Sequence, residues 1–304
     1  DLAFIYENTL IRKETRKQFG IHSTPPAIAE LMVDRLPVES LPQQDRHVLE
    51  PCAGHGVFLI AALRRLRELL PMAWSNQEKH SYLKDRLIAI EMDTFAAEVC
   101  RLSLTLADYP NPNGWAILSD DIFAADVLEQ QLSRGQIVLC NPPFEDFTVA
   151  ERNRYGQRIS SAHKPYELLR KVLTNPPAMF GFVLPKSAIL GGRYGDLQDQ
   201  IAKIYQAVET VALPDRIFAF SDQETVLLLA SERNDSAQAK VLTRTFWIRD
   251  NDRQALLETG QLPEEAVKVI NRSVLERPMR LWNPPLSELW DYLHAYPKMA
   301  DIAE

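Results

Sequence analysis

Apolar residues in this chain fall into short dense runs, separated by longer stretches in which they recur every three to four positions. The runs Val48-Leu49, Leu87-Ile88-Ala89-Ile90, Trp115-Ala116-Ile117-Leu118, Ile137-Val138-Leu139-Cys140 and Met179 to Leu184 read as buried strands. Val208 to Leu213 and Thr225 to Ser231 are two further β-rich runs. Helical periodicity fills the intervals: from the turn at Gly56 to near Leu70, from Thr94 to about Tyr109, from Tyr166 to Leu173, and from Asp196 to Tyr205. Strands alternating with helices predict an α/β protein with a mostly parallel sheet and helices on both faces. Pro71 to Lys84, polar and broken by proline, reads as a loop extension. Farther on, Val241 to Ile248 reads as one more strand, Asp250 to Gly260 and Pro263 to Ile270 as helices, and Leu289 to Tyr296 as a short amphipathic helix.

Polar residues with chemical potential sit where these runs end. The first run passes through Glu50-Pro51-Cys52-Ala53-Gly54-His55-Gly56 into a helix, a strand, turn and helix in nucleotide-site order. Gly54 and Gly56 permit close approach of backbone to a ligand. The three-glycine dinucleotide fingerprint is absent, so a pyrophosphate is not the obvious guest. Glu91 ends the second run, the position of a ribose hydroxyl clamp; a capping or surface carboxylate is the alternative. Its distance from Glu50 exceeds the usual spacing of about 20 residues, which the insertion at 71–84 accounts for. Asp121, after the third run, can accept from a ligand's amino group while Ile122 packs on its ring; a solvated loop aspartate is the alternative.

The fourth run ends in Asn141-Pro142-Pro143-Phe144. An exocyclic amine is a poor nucleophile because its lone pair is delocalised into the ring. Two aimed acceptors, the Asn141 side-chain carbonyl and the Pro142 main-chain carbonyl, can localise that pair, and proline keeps the segment stiff. Phe144 can stack on the base. An ordinary strand-to-loop stop is the competing reading of these four residues.

Taken together, Thr24-Pro25-Pro26, Leu49 to Gly56, Ile90-Glu91, Asp121-Ile122-Phe123 and Asn141 to Phe144 resemble S-adenosylmethionine-dependent N6-adenine DNA methyltransferases of the gamma arrangement, in which the Thr-Pro-Pro element precedes the glycine turn. Ile5-Tyr6-Glu7-Asn8 and Arg16-Lys17-Gln18-Phe19-Gly20 resemble the lead-in of the modification enzymes of type I and type IIG restriction and phage-defence systems. The resemblance covers roughly residues 1–232. It implies a Rossmann-like methyltransferase fold: a seven-stranded, mostly parallel sheet with one antiparallel strand. S-adenosylmethionine would be held by Thr24 and Glu50 at its methionine end, with backbone of Ala53, Gly54 and Gly56 beside it. Glu91 would take the ribose, and Asp121 with Ile122 the cofactor adenine. Asn141, Pro142 and Phe144 would present a flipped-out adenine of double-stranded DNA, sandwiched from the other side by Phe218, with Phe220 the rival. The family usually has Ala-Cys where this chain has Cys52-Ala53, and Tyr where it has Phe144; neither change removes a needed function.

With 46% hydrophobic content over 304 residues, the chain can bury a full α/β core. No apolar stretch of about 18 residues and no signal-peptide pattern occurs, so a cytoplasmic, prokaryotic enzyme is expected. Cys52, Cys100 and Cys140 read as reduced thiols, and the six histidines lack ligand spacing, so no metal is expected. A net charge of −7 opposes DNA binding, but residues 150–171 carry six basic residues against two acidic ones, a local +4. Arg152, Arg154, Arg158 and Lys164 of that segment are the expected DNA-backbone contacts, whereas Arg64, Arg65 and Arg67 are expected to face solvent.

Residues 298–304 resemble the opening of a target-recognition domain, and the first residue is Asp rather than Met. The expectation is therefore an excised core: a lead-in over 1–40, a catalytic domain over 41–235, and an extension over 236–304 toward a specificity domain or subunit absent from this chain. Two other readings compete. One is methylation of a protein glutamine amide or an RNA base, which also uses Asn-Pro-Pro-aromatic. The other is a cofactor-binding scaffold without turnover.

Overall fold

The computed structural model describes residues 24–124, 126–190, 192–218, 223–234, 240–262, 267–275 and 279–283, with residues 289, 292 and 296. Five parallel strands form the first half of the sheet: β1 (Val48–Pro51), β2 (Leu87–Ile90), β3 (Ala116–Leu118), β4 (Ile137–Cys140) and β5 (Met179–Pro185). β6 (Tyr205–Ala212), β7 (Thr225–Arg233), β8 (Lys240–Trp247) and β9 (Val267–Ser273) complete it. The order is β3-β2-β1-β4-β5-β7-β6-β8-β9, with β7 antiparallel between β5 and β6. The first seven strands thus include the single expected antiparallel member. The sheet has nine strands rather than seven, because β8 adds in parallel to β6 and β9 pairs antiparallel to β8.

Side chains alternate across the sheet, as the two-residue period of a strand requires. Val48, Leu87, Ala89, Ile137 and Leu139 enter one apolar cluster. Leu49, Ile88, Ile90, Val138 and Cys140 enter the other. The first face is covered by α1 (Pro26–Arg35), α2 (Val57–Glu68), α3 (Asn76–Arg86) and α4 (Thr94–Ala107), through residues such as Met32, Leu63, Leu83 and Cys100. The second is covered by α5 (Val127–Leu132), α7 (Lys164–Thr174) and α9 (Gly195–Ile204), through Leu128, Val172 and Ile201. Short helices α6 (Val149–Tyr155) and α8 (Ser187–Leu190) lie in connections, and α10 (Arg253–Thr259) follows β8.

Three further expectations are corrected. Residues 71–84, read as a loop, contain most of α3. A capping box nucleates that helix: the Glu78 N–H donates to Ser75 Oγ (3.2 Å) and the Ser75 N–H to Glu78 Oε2 (2.7 Å). The buried side chains of His80, Tyr82 and Leu83 then anchor it, and the polar remainder faces water. Pro263 to Ile270, read as helix, instead enters β9 from Val267 onward, with Thr243 opposite Ile270; residues 263–266 lie outside those described. An open strand edge offers backbone partners that a local helix pattern does not anticipate. Nor do the arginines of α2 all face solvent: Arg67 pairs with buried Asp108, which also lies 2.5 Å from His80 Nδ1, and Arg65 pairs with Glu39 and Glu68. The lead-in motifs before Thr24, Phe220, most of Leu289 to Tyr296 and residues 298–304 lie outside the described residues.

Candidate active site

The strand order reverses between β1 and β4, and the polar ends of β1 to β4 meet at that switch point, on the carboxyl edge of the sheet. Each is placed by local backbone chemistry. After β1 the chain turns through Cys52 (φ 63°), Gly54 (φ 54°) and Gly56 (φ 81°). A Cβ on Gly56 would collide with Cys100 Sγ on α4, whereas one on Gly54 would meet nothing within 4 Å. Gly56 therefore serves helix packing, and Gly54 lies on the side left open to a ligand.

No side chain of the turn caps α2. Glu50, only 2% exposed at the end of β1, does so instead: Leu59 N–H donates to its Oε2 at 3.0 Å. Burial pushes the Glu50 carboxyl well above the usual range, against the pull of the Leu59 and Phe58 N–H groups. A desolvated carboxyl at a helix N-terminus is poised to ionise when a cation arrives. Glu91 bridges the same turn from β2, accepting from Gly54 N–H (2.7 Å) and Asp93 N–H (2.9 Å). Its pKa is likewise raised by burial.

Asp121, 8% exposed, accepts from Phe123 N–H at 3.0 Å on Oδ1 and from the Tyr155 hydroxyl at 2.9 Å on Oδ2. Ile122 is buried beside it. Asn141 follows β4 directly, and its Nδ2 donates to Thr24 Oγ1 at 3.0 Å across 117 positions of sequence. Thr24 is held there by α1, whose Pro26 occupies the first turn and whose Met32 packs over Gly181 of β5. Cys140 Sγ donates to the Pro51 carbonyl at 3.0 Å, tying the two loops at their roots. Phe144 and Phe218 are both buried and belong to one apolar cluster.

The structure thus brings together Glu50, Ala53, Gly54, Gly56, Glu91 and Asn141 at adjoining strand ends, with Thr24 joined to them from the start of α1, and it does not treat the four basic residues alike. Arg152 and Arg154 are exposed, the latter 3.5 Å from Asp121 Oδ2. Arg158 pairs with Asp126 at 2.6 Å. Lys164 is instead buried, with its ammonium paired to Glu145 (3.1 Å) and Glu151 (3.0 Å). Sequence reading missed Tyr155, which looks like one aromatic in a charged segment, and missed Glu50 as a helix cap, which needs β1 and α2 side by side.

An open groove of about 460 Å³ lined by His47, Lys84, Arg86 and Arg134 lies at the opposite edge of the sheet and shares no residue with this set. Among the described residues no helix is long and apolar enough to cross a membrane, and no three acidic, histidine or cysteine side chains form a metal-binding group.

In fold the chain is similar to the type ISP restriction-modification enzyme LlaGI, solved as a nuclease-deletion mutant with a DNA substrate mimic: TM-score 0.68, 16% identity, 92% of this chain and 32% of that one. A DrdV–DNA complex gives TM-score 0.68 at 14% identity, covering 92% and 33%. A modification subunit assigned to a type I restriction enzyme of Vibrio vulnificus YJ016 gives 0.62 at 16%, covering 88% and 59%. The chain spans less than two thirds of each of these proteins. A comparison with curated protein sequences found no match. The N-6 DNA methylase family model matches residues 1–273, through the last strand of the sheet, and on that match the chain belongs to the N-6 DNA methylase family.

Proposed function

We propose that this chain carries the catalytic unit of a DNA methyltransferase that transfers the methyl of S-adenosylmethionine to N6 of an adenine flipped out of double-stranded DNA. Such a unit would serve a restriction-modification or defence system in the cytoplasm of a prokaryote. The observation that carries the reading is the Asn141–Thr24 hydrogen bond, which gathers the strand end bearing Asn-Pro-Pro-Phe and the Thr-Pro-Pro element around the Glu50 turn.

The residues present fit the cofactor. Glu50 offers a buried carboxyl to an ammonium, Glu91 a carboxylate beside open backbone at Gly54 to a ribose, and Asp121 an acceptor to an adenine amine, with Ile122 against its ring. S-adenosylmethionine, when bound, supplies an electrophilic methyl. Asn141 and Pro142 direct their carbonyls at the two hydrogens of the target amine and localise its lone pair. Donation of Nδ2 to Thr24 sets which end of the Asn141 carboxamide is the acceptor. A neutral carboxamide is no general base, so the gain comes from orientation in a dry pocket. Stacking of the extruded base on Phe144, with Phe218 opposite, offsets an unstacking cost of about a few kcal/mol. Arg152 and Arg154 lie outward of this site, where a DNA backbone would pass.

The catalytic unit extends through 273, since β8 and β9 continue the sheet past residue 235. Sequence recognition rests with a separate domain or subunit. The test is to incubate the protein and its Asn141→Ala variant with labelled S-adenosylmethionine and mixed-sequence duplex DNA. Mass spectrometry of the nucleosides should show N6-methyladenine from the unsubstituted protein alone. Cofactor binding without any methylated nucleoside would overturn the reading.

A further inference from the structure

Residues 145–163 leave the catalytic Asn-Pro-Pro-Phe segment and fold back as a stitched loop. Phe147 N–H donates to the Ala162 carbonyl at 2.7 Å, and Lys164 Nζ spans Glu145 and Glu151 at 3.1 and 3.0 Å. Within the loop, α6 begins on a capping box made by Thr148 and Glu151. It ends on Tyr155, 5% exposed, whose ring joins Phe123 and Phe147 with centroids 5.9 and 5.6 Å away. Phe123 follows Asp121 and Ile122 directly, so the loop is docked on the segment that the proposed function assigns to the cofactor adenine.

We infer that Tyr155 is a positioning residue for Asp121, and that through it cofactor binding and seating of the loop beside the target-base pocket are coupled. This rests on the cofactor reading above. The Asp121 carboxylate has two competing partners besides Phe123 N–H: the Tyr155 hydroxyl at 2.9 Å and the Arg154 guanidinium at 3.5 Å, both on Oδ2. Arg154 is exposed, and its guanidinium also lies 5.6 Å from the centre of the Tyr155 ring. The Tyr155 hydroxyl, fixed by its buried ring, holds the carboxylate in one orientation, with the remaining lone pairs aimed for an exocyclic amine. Without it the carboxylate can turn onto Arg154 and withdraw its acceptor. An adenine bound at Asp121 in turn favours the seated position of Tyr155, hence of α6 and of the loop bearing Arg152 and Arg154. If seating of the loop raises the affinity for the ligand, the ligand must, by linkage, favour the seated loop by the same factor.

The test compares the protein with Tyr155→Phe, which keeps the ring. Binding of S-adenosylhomocysteine, adenosine and nebularine, the adenosine analogue without the amine, is measured by calorimetry. Hydrogen exchange of 145–163 is followed with and without saturating S-adenosylhomocysteine. The expected result is adenosine binding weakened about 10- to 100-fold by the lost hydrogen bond to a charged group, nebularine binding unchanged, and ligand-induced protection of 145–163 lost in the variant. Equal weakening of adenosine and nebularine, or equal protection in both proteins, overturns the coupling while leaving the cofactor reading intact. Failure of the unsubstituted protein to bind S-adenosylhomocysteine overturns both.

Discussion

Asn141 Nδ2 donates to Thr24 Oγ1 at 3.0 Å, so the strand end that carries Asn-Pro-Pro-Phe is tied to a threonine 117 positions earlier. If that bond holds the carboxamide for reaction, Thr24→Val lowers kcat by about 5- to 10-fold, the worth of one neutral hydrogen bond. Thr24→Ser, which keeps the hydroxyl, stays near the unsubstituted rate. Asn141→Ala removes the acceptor itself and should cost about 10²- to 10³-fold, as loss of an aimed transition-state partner does elsewhere. Single-turnover methylation of duplex DNA measures all three.

The buried carboxyl of Glu50 makes a pH prediction. Because burial raises its folded-state pKa, the native protein keeps a proton that the unfolded chain releases. That contribution to stability is whole below the ordinary carboxylate range and is lost as pH rises from there toward the folded value. Thermal melts of the ligand-free protein should therefore show this loss across that window, and Glu50→Gln should flatten the profile. Affinity for S-adenosylhomocysteine, whose ammonium favours the ionised carboxylate, should rise with pH over the same window and lose that dependence in the variant.

The two glycines of the turn should behave differently. Gly56→Ala meets both a left-handed backbone and Cys100 Sγ, and is expected to cost about 2–4 kcal/mol. Gly54→Ala meets only the backbone term, about 1–2 kcal/mol. Adding Cys100→Ala to Gly56→Ala removes the clashing sulfur and should recover part of the loss. Urea unfolding of the single and double variants completes the cycle.

Arg152 and Lys164 separate surface from interior. Arg152→Ala should weaken duplex DNA binding and reduce the salt slope of log K by about one. Lys164→Met leaves Glu145 and Glu151 facing each other without their cation and should cost about 1–3 kcal/mol of stability. Fluorescence anisotropy at several salt concentrations and urea unfolding distinguish the two effects; an unchanged slope for Arg152→Ala would remove it from the DNA contact.

Much of this was present in the one-dimensional pattern. Dense apolar runs of strand length mark β1 to β5, because a strand covered on both faces has no polar position to interrupt it. Residues at the ends of those runs emerge at one edge of a parallel sheet, so the sequence already placed Glu50, Glu91, Asp121 and Asn141 on that edge. α3 was not: its sequence is mostly polar, and what makes it a helix is a cap and three buried side chains whose partners lie elsewhere. β9 was not either, since a strand at an edge takes its hydrogen bonds from a neighbour the sequence does not name.

By itself, then, the sequence determined the α/β class, the first eight strands along the chain and the polar residues standing at the ends of β1 to β4, because those follow from local periodicity and from where each apolar run stops. Only the tertiary structure decided which charges are available. Lys164 and Arg152 sit in one basic segment, yet one is buried between two glutamates and the other is exposed. It also decided that Glu50 caps α2, that Thr24 orients Asn141 and that Tyr155 reaches Asp121. These are contacts between residues distant in sequence, made when the burial of apolar faces brings separate elements together, and no local pattern encodes them.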